Sequence, residues 1–236
     1  MTLALTRFAR GALSTFFFIF YGLFGLLSLP LLLPLLPFPR LIRFLVRSFY
    51  RIFVFLAAVA GLFRVSIGDT REIRGKIVVM NHLTLIDIVI LMAHLPDSTC
   101  VVKGAAAKNP FLMSAVRSMF LVNSGDPHAL MTKAKKLLSS GVNLIVFPEG
   151  TRTPRDAPNR KIHRGAAWIA LESGAEIFPM HLEVDPQVLG KNQKFWDVGD
   201  RIIRYNIEKR ERIVPTGAAT RTNAIELTEK MKEAIS

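Results

Sequence analysis

The chain has 236 residues, half of them apolar, with 31 lysines and arginines against 18 acidic residues and one cysteine. That length suits one domain with a sizeable core, and so apolar a composition excludes a disordered chain. A single cysteine excludes a disulfide scaffold and a zinc site built from cysteines. The net charge of +13 leaves two classes open, proteins that bind nucleic acids and proteins that bind anionic membrane surfaces.

The distribution of charge favours the membrane class. The first 64 residues contain no lysine and no acid but seven arginines: Arg7, Arg10, Arg40, Arg43, Arg47, Arg51 and Arg64. Much of the excess positive charge therefore borders apolar sequence, which is typical of segments that contact anionic lipid head groups. A nucleic-acid binder would interleave aromatic residues with lysine and arginine in the rest of the chain, and that pattern is scarce there.

Residues 11–39 form an uncharged run of 29 residues. About 20 apolar residues are enough for a helix to cross the hydrocarbon core. Four prolines argue against a regular helix at the end of this run: Pro30, Pro34, Pro37 and Pro39. We therefore expect a helix over residues 12–29. A single span and a re-entrant hairpin both fit the flanking arginines, and we favour the hairpin; a cleaved signal peptide is disfavoured because no small-residue cleavage site follows.

A second apolar segment follows the prolines. Its arginines recur at spacings of three and four residues, which places them on one face of a helix: Arg40, Arg43, Arg47 and Arg51. This pattern predicts an amphipathic helix that lies in the membrane interface and continues into an apolar end at residues 52–63. We therefore divide the chain into an N-terminal membrane-associated helical segment, residues 1–64, and a second domain, residues 65–236.

The second domain alternates short apolar runs with helical patterns, which favours an α/β fold with a mixed, largely parallel sheet flanked by helices. Five apolar runs predict strands, at residues 77–80, 99–103, 119–123, 142–147 and 176–180. Helices are predicted over residues 127–140, 164–173 and 220–236. Asp126 suits the start of the first of these helices, and Gly174 suits the end of the second. A strand-like piece at residues 201–207 has no predicted place in the sheet.

A histidine and an aspartate follow the strand predicted at residues 77–80. Asp87 lies five residues after His82, so a tight bend at the carboxyl edge of the sheet would bring the carboxylate to the imidazole. A carboxylate on one ring nitrogen raises the basicity of the other nitrogen, which can then remove a proton from a hydroxyl group. On the spacing alone, a structural histidine is the favoured interpretation, and the second motif changes this.

The hexapeptide FPEGTR, residues 147–152, closes another predicted strand. It places Glu149 and Arg152 at the same edge of the sheet as His82. Arg152 can hold a phosphate through two parallel hydrogen bonds, and Gly150 permits a close backbone approach. Glu149 suits accepting a hydrogen bond from a substrate hydroxyl or bracing Arg152. An ordinary loop with a surface ion pair is the alternative interpretation.

Together, His82, Asp87 and the later FPEGTR resemble the glycerolipid acyltransferase family, which contains the 1-acylglycerol-3-phosphate acyltransferases. The resemblance covers roughly residues 65–185. It implies transfer of a fatty acyl group from acyl-CoA or acyl carrier protein to a lysophospholipid hydroxyl, with 1-acyl-sn-glycerol-3-phosphate as the expected acceptor and phosphatidic acid as the product. It also implies a membrane enzyme, expected at the cell inner membrane with its catalytic domain on the cytoplasmic side.

The resemblance also implies roles for individual residues. His82 and Asp87 are the expected catalytic pair. The expected substrate-binding residues are Lys103, Glu149, Gly150, Thr151 and Arg152. Weaker matches are residues 160–166 (RKIHRGA), which resemble the family's basic run, and residues 177–180 (IFPM), which resemble its proline-containing last block. No metal and no bound cofactor are expected, because the acyl donor is itself a substrate.

One departure from the family bears on the acceptor. Many members carry an arginine after the third strand that is thought to help bind the acceptor phosphate, whereas this chain has Ser124 and Asp126 in that region. Either Arg152, Lys103 and the basic run suffice for phosphate, or the acceptor is not a glycerophosphate. A non-catalytic, membrane-tethered lipid-binding protein is a further alternative, which the intact histidine and aspartate disfavour.

Overall fold

The computed structural model describes residues 2–104, 119–123, 125–153 and 161–236. Within these ranges the chain forms six α-helices and seven β-strands. The helices are α1 (Thr2–Leu32), α2 (Pro39–Val59), α3 (Asp87–His94), α4 (Pro127–Ser139), α5 (Gly165–Ser173) and α6 (Arg221–Ile235). The strands are β1 (Phe63–Ile67), β2 (Ile77–Met80), β3 (Ser98–Lys103), β4 (Leu121–Asn123), β5 (Asn143–Val146), β6 (Ile177–Asp185) and β7 (Ile203–Lys209).

The first two helices form an antiparallel hairpin. A short 3₁₀ turn, Leu33–Leu35, follows α1 directly, and Pro39 begins α2, where its missing N–H leaves no helical hydrogen bond unmade. Phe17 of α1 packs on Phe53 of α2, with ring centroids 5.7 Å apart. The chain therefore turns back beside α1, as our prediction of a re-entrant hairpin requires.

Helix α1 is longer than the residues 12–29 that we predicted. It begins at Thr2 and continues through Pro30. Arg7 and Arg10 precede the uncharged run, but a charged residue does not end a helix. Pro30 lacks one backbone donor, and this loss affects only the last turn because the helix ends two residues later.

The arginine face of α2 is not exposed along its whole length. Arg43 is only 7% exposed, and its Nε and Nη2 donate to the carboxylate of Asp97. Our interpretation of this face as a head-group contact is therefore wrong for Arg43. Periodicity groups the four arginines on one face, but it does not indicate whether that face meets lipid or protein.

The seven strands form one sheet in the order β1–β7–β6–β2–β5–β3–β4. Strands β6 and β7 pair antiparallel, and the other neighbouring pairs are parallel. This confirms the mixed, largely parallel sheet. Strand β2 is central, with Ile77 opposite Leu144 of β5 and Ile177 of β6. The strand that had no predicted place is β7, between β1 and β6.

Helices cover both faces of the sheet. The hairpin and α3 share one hydrophobic core with the first face, and α4, α5 and α6 pack on the second. Two predicted helix ends are confirmed: the side chain of Asp126 accepts from the first amides of α4, and Gly174, at φ 70°, ends α5. Because β2, β5 and β3 are parallel, the residues that follow them meet at one edge of the sheet.

Candidate active site

The loop between β2 and α3 holds the histidine and the aspartate together. Nδ1 of His82 lies 2.9 Å from Oδ2 of Asp87. Asp87 is the first residue of α3 and its side chain is fully buried, whereas the side chain of His82 is 20% exposed. Because the carboxylate accepts at Nδ1, the neutral imidazole carries its proton there, and Nε2 is left as the basic nitrogen.

Hydrogen bonds from the same loop fix the carboxylate of Asp87. Its Oδ2 also accepts from the backbone N–H of Leu83 at 2.7 Å and from that of Thr84 at 2.8 Å. The hydroxyl of Thr84 donates to Oδ1. These donors hold the carboxylate of Asp87 in a fixed position against the imidazole. Sequence reasoning missed Thr84, although a hydroxyl three residues before a helical aspartate is a signal for such a contact.

The residue before the histidine ties the loop to the sheet. The side chain of Asn81 donates to the backbone oxygen of Leu182 at 2.8 Å and accepts from the N–H of the same residue at 2.7 Å. Asn81 is 1% exposed. Its amide therefore continues the pairing of β2 with β6 for one more residue and sets the direction in which His82 leaves the sheet.

The loop after β5 contacts both the ring and the backbone of His82. The ring of Phe147 stacks on the imidazole, with centroids 4.3 Å apart and an angle of 25° between the planes. Oε1 of Glu149 accepts from the backbone N–H of His82 at 3.2 Å, and the backbone N–H of Thr153 donates to the backbone oxygen of His82 at 2.8 Å. The loop therefore positions His82 from three directions.

Glu149 has a role that neither of our two sequence-based suggestions included. Glu149 is 5% exposed, so its side chain lies beneath the site and not at its surface. The bond that it accepts from the backbone of His82 connects the FPEGTR hexapeptide to the histidine loop. This contact makes Glu149 a positioning residue for the imidazole.

Lys103 and His163 converge above Gly150. Gly150 has φ +63°, and a Cβ built on it would lie 3.1 Å from Cε of Lys103 and 3.2 Å from Cδ2 of His163. Both residues are exposed, and the backbone N–H of His163 donates to the oxygen of Pro148 at 2.8 Å. Sequence reasoning did not place His163 at the site, although its position in the basic run, residues 160–166, is a signal that could have done so.

Arg152 lies deeper than an exposed phosphate ligand would. Its Nη1 donates to the backbone oxygens of Leu189 at 3.2 Å and Gly190 at 2.9 Å. Burial lowers the pKa of its guanidinium, and the negative charge of Asp87 acts in the opposite direction. One terminal nitrogen of Arg152 is therefore engaged by the loop between β6 and β7, and the positive charge lies near the histidine and aspartate.

A tyrosine of β7 lies beneath the same loop. Tyr205 is 1% exposed, and burial, followed by the charge of Asp87, raises the pKa of its hydroxyl. The phenol is therefore neutral at physiological pH. Sequence reasoning did not connect β7 with the site, because that strand had no predicted position in the sheet.

The structure thus brings six of the seven predicted site residues to one edge of the sheet: His82, Asp87, Lys103, Glu149, Gly150 and Arg152. Thr151 is exposed beside them. Ser124 and Arg160, which bear on phosphate binding, lie outside the described residues. Among the residues that are described, no group of three or more histidine, cysteine or acidic side chains could hold a metal ion.

Comparison with known proteins defines the class. The model of the acyltransferase family matches residues 64–183, which is just over half of the chain and includes both motifs. The chain belongs to the acyltransferase family.

Individual relatives narrow the comparison. The chain is 32% identical over 114 residues to the 1-acyl-sn-glycerol-3-phosphate acyltransferase of Helicobacter pylori, an alignment that covers 46% of this chain and 48% of that protein. It is 25% identical over 155 residues to the enzyme of the same name from Pseudomonas aeruginosa, covering 62% of this chain and 60% of that protein. The chain thus spans about half the length of the first relative and less than two thirds of the second.

A solved structure shares the fold along nearly the whole chain. The crystal structure of the 1-acyl-sn-glycerophosphate acyltransferase from Thermotoga maritima superposes with a TM-score of 0.70, covering 97% of this chain and 96% of that one. The sequence identity is 21%, so this similarity establishes the fold alone. Because nearly all of both chains is covered, the shared fold includes the N-terminal hairpin as well as the sheet.

Proposed function

We propose that the protein is a membrane-bound O-acyltransferase that moves a fatty acyl group from an acyl thioester to the hydroxyl of a lysophospholipid. The acceptor that we favour is 1-acyl-sn-glycerol-3-phosphate, which would give phosphatidic acid. The observation that carries the proposal is the 2.9 Å contact between His82 and Asp87 at a partly open edge of the sheet. The names of the two relatives in Helicobacter pylori and Pseudomonas aeruginosa support the acceptor.

In the proposed reaction, Nε2 of His82 removes the proton of the acceptor hydroxyl as its oxygen attacks the thioester carbonyl. A tetrahedral intermediate forms with negative charge on the former carbonyl oxygen. Asp87 stabilises the imidazolium and keeps the ring oriented. When the intermediate collapses, the carbon–sulfur bond breaks, the thiolate leaves, and the imidazolium returns the proton to sulfur.

The cations beside the histidine suit the anionic head of the acceptor. Lys103 offers an exposed ammonium, and Arg152 offers a half-buried guanidinium whose Nη1 already bonds to backbone oxygens. We propose that both act on the acceptor phosphate, with Gly150 giving it close access to the backbone and Thr151 lying at the rim. Glu149 would act indirectly by holding the backbone of His82.

The proposed chemistry needs neither a metal nor a bound cofactor, because the acyl donor brings its own activated thioester. Either acyl-CoA or acyl carrier protein would serve as the donor. Both are anionic, and the described part of the basic run includes Lys161 and Arg164, which are exposed. Positive charge at this rim would attract either donor.

The hairpin supports a position at the membrane. Helix α1 contains a stretch, Ala4–Ser28, that is long and apolar enough to cross a bilayer by length and composition. Large apolar side chains of both helices are exposed, among them Phe8, Phe16, Phe44 and Phe55. We propose that the hairpin inserts into the bilayer, at the inner membrane with the site on the cytoplasmic side, so that lipid substrate and product reach the site without leaving the membrane.

An acceptor screen tests this function. The purified full chain is assayed in mixed micelles with radiolabelled acyl-CoA or acylated carrier protein, and lysophosphatidic acid is compared with other lysophospholipids and with non-phosphorylated alcohols. We expect labelled phosphatidic acid as the main product. Transfer only to non-phosphorylated acceptors would overturn the glycerophosphate assignment. Retention of lipid with no transfer to any acceptor would indicate a lipid-binding protein instead.

A further inference from the structure

A second cationic cavity lies away from the candidate active site. It has a volume of about 660 Å³ and is bounded by α2, by the connection between β1 and β2, and by the end of α3. We call it the arginine groove. Its lining includes Arg47, Arg51, Val54, Phe55, Arg71 and Arg74.

The groove has a cationic end and an apolar end because of the way α2 runs along it. Arg47, Arg51, Phe55 and Ala58 follow one another at spacings of four, four and three residues, so they lie on one side of the helix. The first two are arginines and the last two are apolar. A ligand that follows this side of the helix therefore meets positive charge first and apolar surface next.

Nearby acids leave the positive charge of the groove largely uncompensated. The carboxylate of Asp97 is engaged by Arg43, and Asp69 is paired with Arg71 at 2.7 Å. No ion pair between an acid and Arg47, Arg51 or Arg74 occurs in the part of the chain that the structure describes.

Arg47 lies among like charges. Its side chain is partly buried, and it lines the groove together with Arg51, Arg71 and Arg74. Its Nε is buried and has no hydrogen-bond partner among the described residues. An anion in the groove would neutralise these like charges and accept charge-assisted hydrogen bonds from the guanidinium groups that line it.

The groove and the candidate active site lie at opposite ends of the same elements. Arg74 precedes β2 and His82 follows it, and the four residues of that strand span about 13 Å. Likewise, Asp87 begins α3 while His94, at its other end, lines the groove. The groove is therefore a separate site and not an extension of the cleft around His82.

We propose that the arginine groove binds an anionic phospholipid of the bilayer, with its phosphate between Arg47, Arg51 and Arg74 and an acyl chain along Phe55. Exposed apolar side chains beside the groove argue for a lipid and not for a soluble phosphate. Phe55 is 65% exposed, and on the same helix Ile52 is 55% and Val59 70% exposed. The bound lipid would fix how α2 sits in the interface, and the proposal does not depend on the acyl-transfer chemistry.

Vesicle flotation of the full chain tests the proposal. Binding to vesicles of phosphatidylcholine alone is compared with binding to phosphatidylcholine mixed with phosphatidylglycerol, for the native chain, for R47Q/R51Q/R74Q, and for the control R7Q/R40Q/R64Q. The control removes three exposed arginines of the same N-terminal region that do not line the groove. General attraction to an anionic surface contributes about a fivefold gain in binding per arginine, or about 100-fold for three, and this is the largest loss expected in the control. We expect the groove variant to lose more of its preference for phosphatidylglycerol than this.

The outcomes distinguish specific binding in the groove from non-specific attraction of positive charge to an anionic membrane. Equal losses in the two triple variants would overturn the proposal, because non-specific attraction depends only on the number of charges removed. Acyl transfer in detergent micelles should be unchanged in the groove variant, so failure of this proposal is distinguishable from failure of the proposed function. Circular dichroism checks that both variants are folded.

Two further measurements use the native chain. A photoreactive phosphatidylglycerol should crosslink within residues 47–58 or 65–74, and labelling only elsewhere would contradict the proposal. Inorganic phosphate should compete poorly for the groove. Displacement of phosphatidylglycerol by inorganic phosphate at equal concentration would show a site for free phosphate and would overturn the lipid assignment.

Discussion

The imidazole of His82 stacks on the ring of Phe147 at a centroid distance of 4.3 Å. This contact joins two motifs that are far apart in the sequence but follow neighbouring parallel strands, β2 and β5. The imidazole of His82 therefore has Asp87 at Nδ1 and the ring of Phe147 against one of its faces. The orientation of the imidazole is therefore determined by both motifs together.

Replacing His82 with alanine should abolish acyl transfer. A general base contributes about 10²- to 10⁴-fold in rate, so kcat should fall by that factor. Folding and vesicle binding should persist, because the side chain is partly exposed and the hairpin is distant in sequence. His128→Ala, at an exposed position on α4, is the matched control. Initial rates with labelled donor decide: near-native turnover by the His82 variant would exclude it as the base.

Replacing Asp87 with asparagine should impair both activity and stability. The backbone amides of Leu83 and Thr84 and the imidazole all bond to Oδ2 of the carboxylate. The neutral oxygen of an amide can take the same position, but hydrogen bonds to an ionised acceptor are about twice as strong as those to a neutral one, so thermal unfolding should shift to a lower temperature. Transfer should fall as well, because Nδ1 loses its anionic partner. An unchanged melting temperature would contradict these contacts.

Much of the fold follows from the sequence pattern. Apolar runs located β2, β3 and β5, and the cap at Asp126 located α4, because these signals are local. The contact between His82 and Asp87 was also predicted, since five residues and a tight bend suffice to form it. The catalytic role of the pair remains a prediction.

Other features depend on partners that are remote in the sequence. The pattern of α2 could not show that Arg43 turns inward, because its partner Asp97 lies beyond α3. Arg152 bonds to backbone oxygens at Leu189 and Gly190, and backbone groups leave no residue-type signal. The place of β7 in the sheet was not predictable for the same reason, because it is set by backbone pairing with β1 and β6.

Replacing Arg152 with lysine should weaken use of phosphorylated acceptors. A lysine has no planar fork with which to bond the oxygens of Leu189 and Gly190 and to face a phosphate at once. Hydrogen bonds to charged groups contribute about 1.5–3 kcal/mol, so kcat/KM for lysophosphatidic acid should fall by about tenfold or more. Arg201→Lys, at an exposed ion pair with Asp185, is the control. Equal kinetics in both variants would remove Arg152 from acceptor binding.

An ion pair at the opposite edge of the sheet should make the stability of the fold depend on pH. Nζ of Lys76 lies 2.6 Å from Oε2 of Glu176. This hydrogen bond is the main cause that lowers the pKa of the Glu176 carboxyl group. Burial acts in the opposite direction, and the positive charges of Lys76 and Arg212 lower the pKa further. A carboxyl group whose pKa is lower in the folded state stabilises the fold above its unfolded pKa, and this stabilisation is lost as pH falls through the folded pKa.

Glu176→Gln should therefore lower the melting temperature at neutral pH and leave it unchanged in acid, where the native carboxyl is protonated too. Glu233→Gln, at an exposed position on α6, is the matched control and should have a smaller effect at neutral pH. Thermal unfolding across pH measures both. A deficit for Glu176→Gln that persists undiminished in acid would show that the effect does not come from the charge.

Replacing Gly150 with alanine should separate backbone strain from damage to the site. A residue with a Cβ at positive φ costs about 1–2 kcal/mol, and Gly174→Ala provides a control with the same strain, since Gly174 has φ +70° and its added Cβ meets nothing within 4 Å. At Gly150 the added Cβ would lie 3.1 Å from Cε of Lys103 and 3.2 Å from Cδ2 of His163. Both variants should lose similar stability, but only Gly150→Ala should displace these side chains and raise the KM for a phosphorylated acceptor. If the two variants have the same KM, the space above Gly150 is not where the phosphate binds.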